Sequence, residues 1–369
     1  MALAALVLTF IISLPLSGRS QTFTTLYVFQ NGSDGGGPDG LVRDAAGNLF
    51  GITSTEVESW GTLYQLDPAN HKTTLFTFTQ ATGSPLSLVI DNAGNFYGTT
   101  YPGGTFNQGI LFKINPAGVL TTLYDFGPDP VFAGGLVRDQ AGTLYGVTQS
   151  GGDLNRGSVF KFDNQGKFTV LHSFAGPDGA TPVRIIRDLA GNLYGTTNRG
   201  GAFDQGTLFR ISKNLTHAVL YSFKGKPDGA WPGPLARDSN GDLYGGTTIG
   251  GASDRGTVFK FSKSGQYTQI YHFRGSQFDG FFPTSIVVDQ TGTVFGTTDS
   301  ALGGGSKYQS GSLFKVDPAG HQTVLHGFVS SQDGQGPGHL LMDQAGNLYG
   351  TTYAGAANAV GTVFRWSPQ

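Results

Sequence analysis

The chain contains no cysteine. That excludes disulfides, a thiolate nucleophile, a lipid-bearing N-terminal cysteine and any cysteine-based zinc site. Charge is scarce too: Asp, Glu, Lys and Arg make up 13% of 369 residues, and the formal net charge is −2. With no basic run and no RNA-reading motif, no field draws in nucleic acid or an anionic membrane. Nucleic acid is not an expected partner. There is no HExxH, no GxSxG and no P-loop. No metal cluster stands out among the seven His, and no cofactor is called for.

Long apolar runs are missing everywhere but at the start. "MALAALVLTFIISLPLSG" followed by small and polar residues resembles a secretory signal, with cleavage expected after Ser20. No Lys or Arg precedes the run, which is atypical. An uncleaved anchor is the alternative, but about 16 residues broken by Pro15 is short for a span. The expectation is a signal peptide over 1–20 and a single domain over 21–369. The mature chain would be secreted or extracellular (the periplasm is the nearer alternative), with no membrane span.

Glycine, by contrast, is abundant at 59 residues, and aromatics reach 12%. Plentiful hydrophobics at regular spacing, with so much glycine, read as all-β with many tight turns. The phrase "DQAGNLYGTT" explains the regularity. It begins at Asp343 and has six earlier versions, at Asp44, Asp91, Asp139, Asp188, Asp238 and Asp289, about fifty residues apart. A "GTLF"-type segment and a "TTLYDF"-type segment follow each copy. A loop rich in Asp, Gly and Pro then leads to the next.

Each unit therefore reads as four short strands, A ("GLVRD"), B ("NLYGTT"), C ("GTLFKI") and D ("TTLYDF"). Four strands in about fifty residues mark a β-propeller blade. The chain opens on a D-type strand at residues 25–29 and closes on a C-type strand at 361–366. The expected fold is a seven-bladed β-propeller whose N-terminal strand completes the last blade and closes the ring.

The repeated Asp ends strand A, with Gly three residues later, which suits a tight turn whose backbone N–H groups the carboxylate accepts. Calcium is the rival reading for Asp238, Asn240 and Asp242, but only this unit has acid at both ends. Arg43, Arg138, Arg187 and Arg237 precede the repeated Asp and are expected to pair with a neighbouring carboxylate. His172 and His326 fill the slot that Tyr occupies in other D strands. The Gly of "LYGTT" is expected beneath a ring from the adjacent blade. Thr197, nearer the strand end, is expected to tolerate change. A phrase used seven times holds up architecture, since an active site is normally built once.

Chemistry is then sought where the period breaks. The B–C and D–A connections emerge on one face and vary, while the opposite turns are near copies. Trp60, Trp231, Phe281, Phe282 and Tyr308 lie in these variable loops, and Trp231 stands where the preceding loop has Thr181. Rings on Gly-rich loops suit a sugar or a protein partner. The competing account is that they cap the blade ends.

The full pattern, "DxAGNLYGTTxxGG…GTLFK…LYxF…DGxxP", resembles the GloVer tandem repeats of the choice-of-anchor family of exported bacterial proteins, over residues 24–366. The resemblance implies an exported propeller-like protein with no established catalytic activity and no catalytic residues to carry over. Members end in varied anchoring segments, whereas this chain stops at Gln369, three residues after the last C strand. The leading expectation is a non-enzymatic extracellular binding or structural module with a glycan or protein partner. A carbohydrate-active enzyme with its site on the long-loop face, and a self-associating surface or matrix subunit, are the alternatives.

Overall fold

The computed structural model describes residues 21–30, 34–55, 60–127, 132–275, 279–299, 310–356 and 360–368. The signal expected over 1–20 and the candidate Tyr308 lie outside them. Strands β1–β28 are numbered in chain order and form seven four-stranded antiparallel sheets. The sheets are arranged in a ring as a seven-bladed β-propeller. No helix among the described residues is long and apolar enough to cross a membrane.

Blade 4 shows the plan. Strands β14 (Ala180–Arg187), β15 (Leu193–Arg199), β16 (Thr207–Ile211) and β17 (His217–Ser222) are its A, B, C and D strands, paired in that order. The core lies between blades rather than within them. One cluster joins Val147, Val159 and Phe174 of blade 3 to Ile185, Leu193, Phe209 and Ile211 of blade 4. Every blade interface has such a cluster.

Closure follows the expectation. Strand β1 (Thr22–Val28) pairs with β28 (Thr362–Ser367), which pairs with β27 (Leu348–Ala354) and then β26 (Gln335–Met342). Phe29, fully buried, meets Tyr64 of blade 1 at 5.1 Å between ring centroids, so the first strand also seals the interface from blade 7 to blade 1.

Two glycine positions fix how each blade is built. The Gly that opens strand C has positive φ, and at Gly206 (φ +97°) a Cβ would lie 2.2 Å from Thr197 O and 2.6 Å from Pro232 Cδ of the next blade. The same close approach joins Gly61 to Pro85, Gly157 to Pro182, Gly256 to Pro283, Gly311 to Pro337 and, across the closure, Gly361 to Pro38. A side chain at any of them would push neighbouring blades apart.

The second is the Gly of strand B. A Cβ on Gly195 would sit 2.5 Å from Phe209 Cζ and 2.8 Å from Arg184 O. Phe209 is the register partner of Gly195 in strand C of the same blade, so the covering ring does not come from the adjacent blade as the sequence suggested. The expectation for Thr197 also changes. Its fully buried hydroxyl bonds to Thr207 Oγ1 (2.9 Å), accepts Thr207 N–H (3.0 Å) and donates to Arg199 O (2.8 Å). It is a structural hydroxyl near a strand end, not a tolerant one.

Two outcomes are expected. Deleting residues 21–30 exposes the β28 edge and removes Phe29, so thermal melting should fall by many degrees; a variant melting like the parent would contradict closure by β1. In denaturant melts, Gly195→Val should lose about 1–3 kcal/mol by overpacking. Thr197→Val should lose a comparable ~1–3 kcal/mol by leaving its buried partners unpaired, and a parental midpoint for it would refute the hydroxyl chain.

Candidate functional site

On the turn face the repeated motif is structural. Asp188 accepts Asn192 N–H at 2.8 Å and the Asn192 side-chain amide at 2.9 Å, and Asp343 repeats both contacts with Asn347. Burial opposes ionisation of Asp188, yet these hydrogen bonds from Asn192 hold it below the ordinary carboxylate range. Two of the four arginines pair between blades as expected, Arg138 with Asp91 at 3.8 Å and Arg187 with Asp139 at 3.7 Å. Each also lies over a Tyr of the preceding blade, Arg138 on Tyr97 and Arg187 on Tyr145. In the calcium-like segment, Asp238 accepts the N–H groups of Gly241 and Asp242, and Asp242 pairs with Lys260 at 2.7 Å. Both carboxylates serve the turn and its neighbour.

In five of the D–A loops an Asp has a similar duty at the rim. Tyr27 donates to Asp34, Tyr221 to Asp228 and Tyr271 to Asp279, while His172 and His326 contact Asp178 and Asp333 at 2.8 and 2.6 Å. These two His therefore do stand in for Tyr. At one interface the substitution is doubled: His172 stacks on His217 with centroids 3.8 Å apart and planes 1° from parallel. Burial, reinforced by His172, pushes His217 down to about 4.

The loop face around the axis departs from the repeat. Seven residues before each repeated Asp stand Gly37, Ser84, Phe132, Thr181, Trp231, Phe282 and Gly336. Thr181, Trp231 and Phe282 have φ of 53°, 54° and 54°, matching Gly37 (58°) and Gly336 (62°). At each of these five positions a proline follows and packs on the previous blade, and the residue's own N–H bonds back to that blade. Trp231 N–H reaches Gln205 O at 3.0 Å and Phe282 N–H reaches Arg255 O at 3.1 Å.

Of the five candidate residues, the structure brings Trp231, Phe281 and Phe282 into adjacent blades. Trp231 is part-buried, Arg199 lies 4.8 Å from its ring, and its Nε1 is buried without a hydrogen-bond partner. Phe281 is buried and packs edge-on beneath Phe282 at 4.7 Å. Trp60 lies apart, packed on the core between blades 1 and 2. Sequence reasoning passed over Tyr353 as a site residue, although its ring is exposed. It lines a cleft of about 320 Å³ with Thr284, Asp299, Pro337 and Gly338.

The axis holds a second departure. Four residues before the repeated Asp, where other blades have Gly, Ser or Pro, stand Arg184 and His339. Gly134 and Gly233, on the A strands of blades 3 and 5, would each point a Cβ into open space. Burial lowers the pKa of His339, with Arg184 adding to the effect and Asp39 opposing it. Tyr64 replaces the Phe that covers the strand B glycine elsewhere. Its hydroxyl has no partner, and burial together with the Asp39 charge raises its pKa far above the ordinary value. Thr351 Oγ1 and His339 Nδ1 are likewise buried and unpartnered, so polar capacity collects where blade 7 meets blade 1. The readable signal was the break in the repeat at Tyr64, Arg184 and His339.

Fold and site define a repeat propeller with a uniform turn face and an irregular, aromatic loop face. The model of the Gloeobacter/Verrucomicrobia repeat matches residues 11–132 and 131–364, and the chain belongs to that family. No curated protein matches it. Among solved structures it is similar to the extracellular domain of the hybrid two-component system BT4673 of B. thetaiotaomicron, with TM-score 0.65, 15% identity, and coverage of 93% of this chain and 40% of that one. The extracellular domain of the hybrid two-component system BT3049 of B. thetaiotaomicron gives 0.63, 14%, 95% and 41%. The chain thus spans about two fifths of these proteins, and at such identity the likeness shows the fold.

The stacked imidazoles yield a pH prediction. The folded pKa of His217, about 4, lies below the unfolded 6.5, so the unfolded chain takes up its proton first as pH falls. Stability present above 6.5 is therefore lost progressively from 6.5 to about 4, by on the order of 1–3 kcal/mol. His217→Phe keeps the stack, as Phe168 does on Tyr124, and should flatten this part of the stability profile. An unchanged slope in urea melts at pH 7, 5.5 and 4.5 would overturn the assignment.

Proposed function

We propose that the protein is an exported binding module that holds an extracellular saccharide on its loop face, at the mouth of the axis. One observation carries this reading. At a left-handed position filled by glycine in blades 1 and 7, the chain places Trp231 and Phe282 in blades 5 and 6. A bulky residue held there costs on the order of 1–3 kcal/mol, which packing alone does not require, since Gly37 and Gly336 complete the same contacts. The strain fixes two rings at the mouth in neighbouring blades, with Phe281 beneath them. The Nε1 edge of Trp231 is buried, so the ring offers its face rather than a hydrogen bond. A flat apolar face is the surface that stacks on a pyranose. Tyr353 and its cleft, of a size suited to a single sugar ring, extend the surface toward blade 7.

Export rests on the opening apolar run and on the family. The similar propellers are described as extracellular domains, which agrees with it. A glycan array comparing the parent with Trp231→Ala and Phe282→Ala, each checked by melting, tests the reading. Binding by the parent should weaken tenfold or more in Trp231→Ala, the loss of a central aromatic contact. Retained affinity in both folded variants, or no glycan bound by the parent, would sink the proposal.

A further inference from the structure

The arginines of this chain are divided between its faces. On the turn face Arg138 and Arg187 sit in ion pairs. On the loop face of blades 3–5 four others are exposed, and none has an ion pair among the described residues: Arg156 and Arg255 in B–C loops, Arg199 at the end of β15, and Arg184 in β14 at the axis. They surround the strained rings. Arg199 lies on Trp231 at 4.8 Å and Arg255 near Phe281 at 5.7 Å. Arg156 supplies the carbonyl that accepts Thr181 N–H, at the same position one blade before Trp231.

Acids in the same loops do not neutralise them. Asp178, Asp228 and Asp279 are held by His172, Tyr221 and Tyr271 at the outer rim. Asp204 accepts Gly200 N–H, while Asp254 accepts Gly250 N–H and pairs with Lys226 at 3.5 Å. Asp153, in the loop of Arg156, has no such engagement among the described residues. A chain of net charge −2 thus concentrates free guanidinium groups around one aromatic site.

We propose that this face selects anionic saccharides, whose carboxylate or sulfate groups dock on Arg156, Arg184, Arg199 and Arg255 while a sugar ring stacks at Trp231 and Phe282. The proposal rests on the saccharide reading above and adds the ligand's charge. Guanidinium is suited to this because its planar fork matches both oxyanions and stacks on rings at the same time. Arg184 gives direction. It is exposed on β14, the inner strand of blade 4, while the acid Asp39 stands on β2, the inner strand of blade 1, so an acidic group is favoured on the blade 4 side.

Calorimetry on the full chain decides the matter with paired probes: tetragalacturonate against its methyl ester, and a κ-carrageenan tetrasaccharide against its desulfated form. At least one acidic member should bind tenfold or more tightly than its neutral partner, and the gap should narrow in high salt. The two pairs separate carboxylate from sulfate. Arg184→Gln with Arg199→Gln should abolish the gap, whereas Arg210→Gln, outside this face, should leave it intact. Equal affinity within both pairs, with binding still lost in Trp231→Ala, overturns the charge proposal and leaves the saccharide reading standing. A gap that survives the double variant removes the assignment to these arginines. Tighter binding of an eight-residue oligothymidylate than of every saccharide would replace the proposal with a nucleic-acid partner.

Discussion

The structure depends on the approach of one backbone to the next at the glycine opening each C strand. With φ near +90° or above, this residue turns the B–C loop back so tightly that a Cβ would meet the Thr carbonyl of strand B, at 2.2 Å for Gly61 and 2.3 Å for Gly361. In six of the seven blades the next one lays its proline on the same spot. The contact involves no side chain from the glycine and leaves no room for one, so the angle between blades is set by hard contact. Burial of Phe29, Phe78, Phe126, Phe174, Phe223, Phe273 and Phe328 between the sheets then supplies the driving force. Ring closure adds nothing new in kind, since Gly361 on Pro38 is the same contact between chain ends.

That contact also bears on the place of the proposed binding surface. In blades 1 and 4 to 7 the residue before this proline stands at the mouth of the axis with positive φ, its N–H engaged by the previous blade. Its side chain is the one part left undetermined. Glycine relieves the strain in blades 1 and 7, while Thr181, Trp231 and Phe282 accept it in blades 4 to 6. The scaffold therefore offers five such positions, and the chain fills two neighbouring ones with rings.

Most of the architecture was legible because the period displays it. Strand number, closure by residues 25–29, the turn role of the repeated Asp and the pairing of Arg138 with a neighbouring carboxylate all follow from position within a unit. The His at 172 and 326 could be recognised as Tyr substitutes by alignment of the chain with itself. Contacts between units were less visible. The ring over Gly195 was assigned to the wrong blade because sequence period cannot separate strand C of the same sheet from a strand of the next. Thr197 looked peripheral because a buried hydroxyl pair depends on register, which becomes fixed only when Thr197 and Thr207 are opposed. The strain at Trp231 was hidden, since nothing local in "GAWPGP" demands positive φ. Phe281 and Phe282 are adjacent in sequence, yet alternation turns one inward and leaves the other at the mouth.

A ring of near-identical blades has no inherent orientation for a ligand, so recognition must arise where identity fails. Here the failures are grouped. Rings and free guanidinium groups occupy blades 3 to 6 of the loop face. Asp39, Tyr64, Thr351 and His339 lie where blade 7 meets blade 1. The guanidinium groups of the first are exposed, whereas the hydroxyls of Tyr64 and Thr351 in the second are buried in the interface. On the proposal made above, a sugar ring to stack and an acidic group to pair would both be met on blades 3 to 6, and the asymmetry of the ring would set a single orientation.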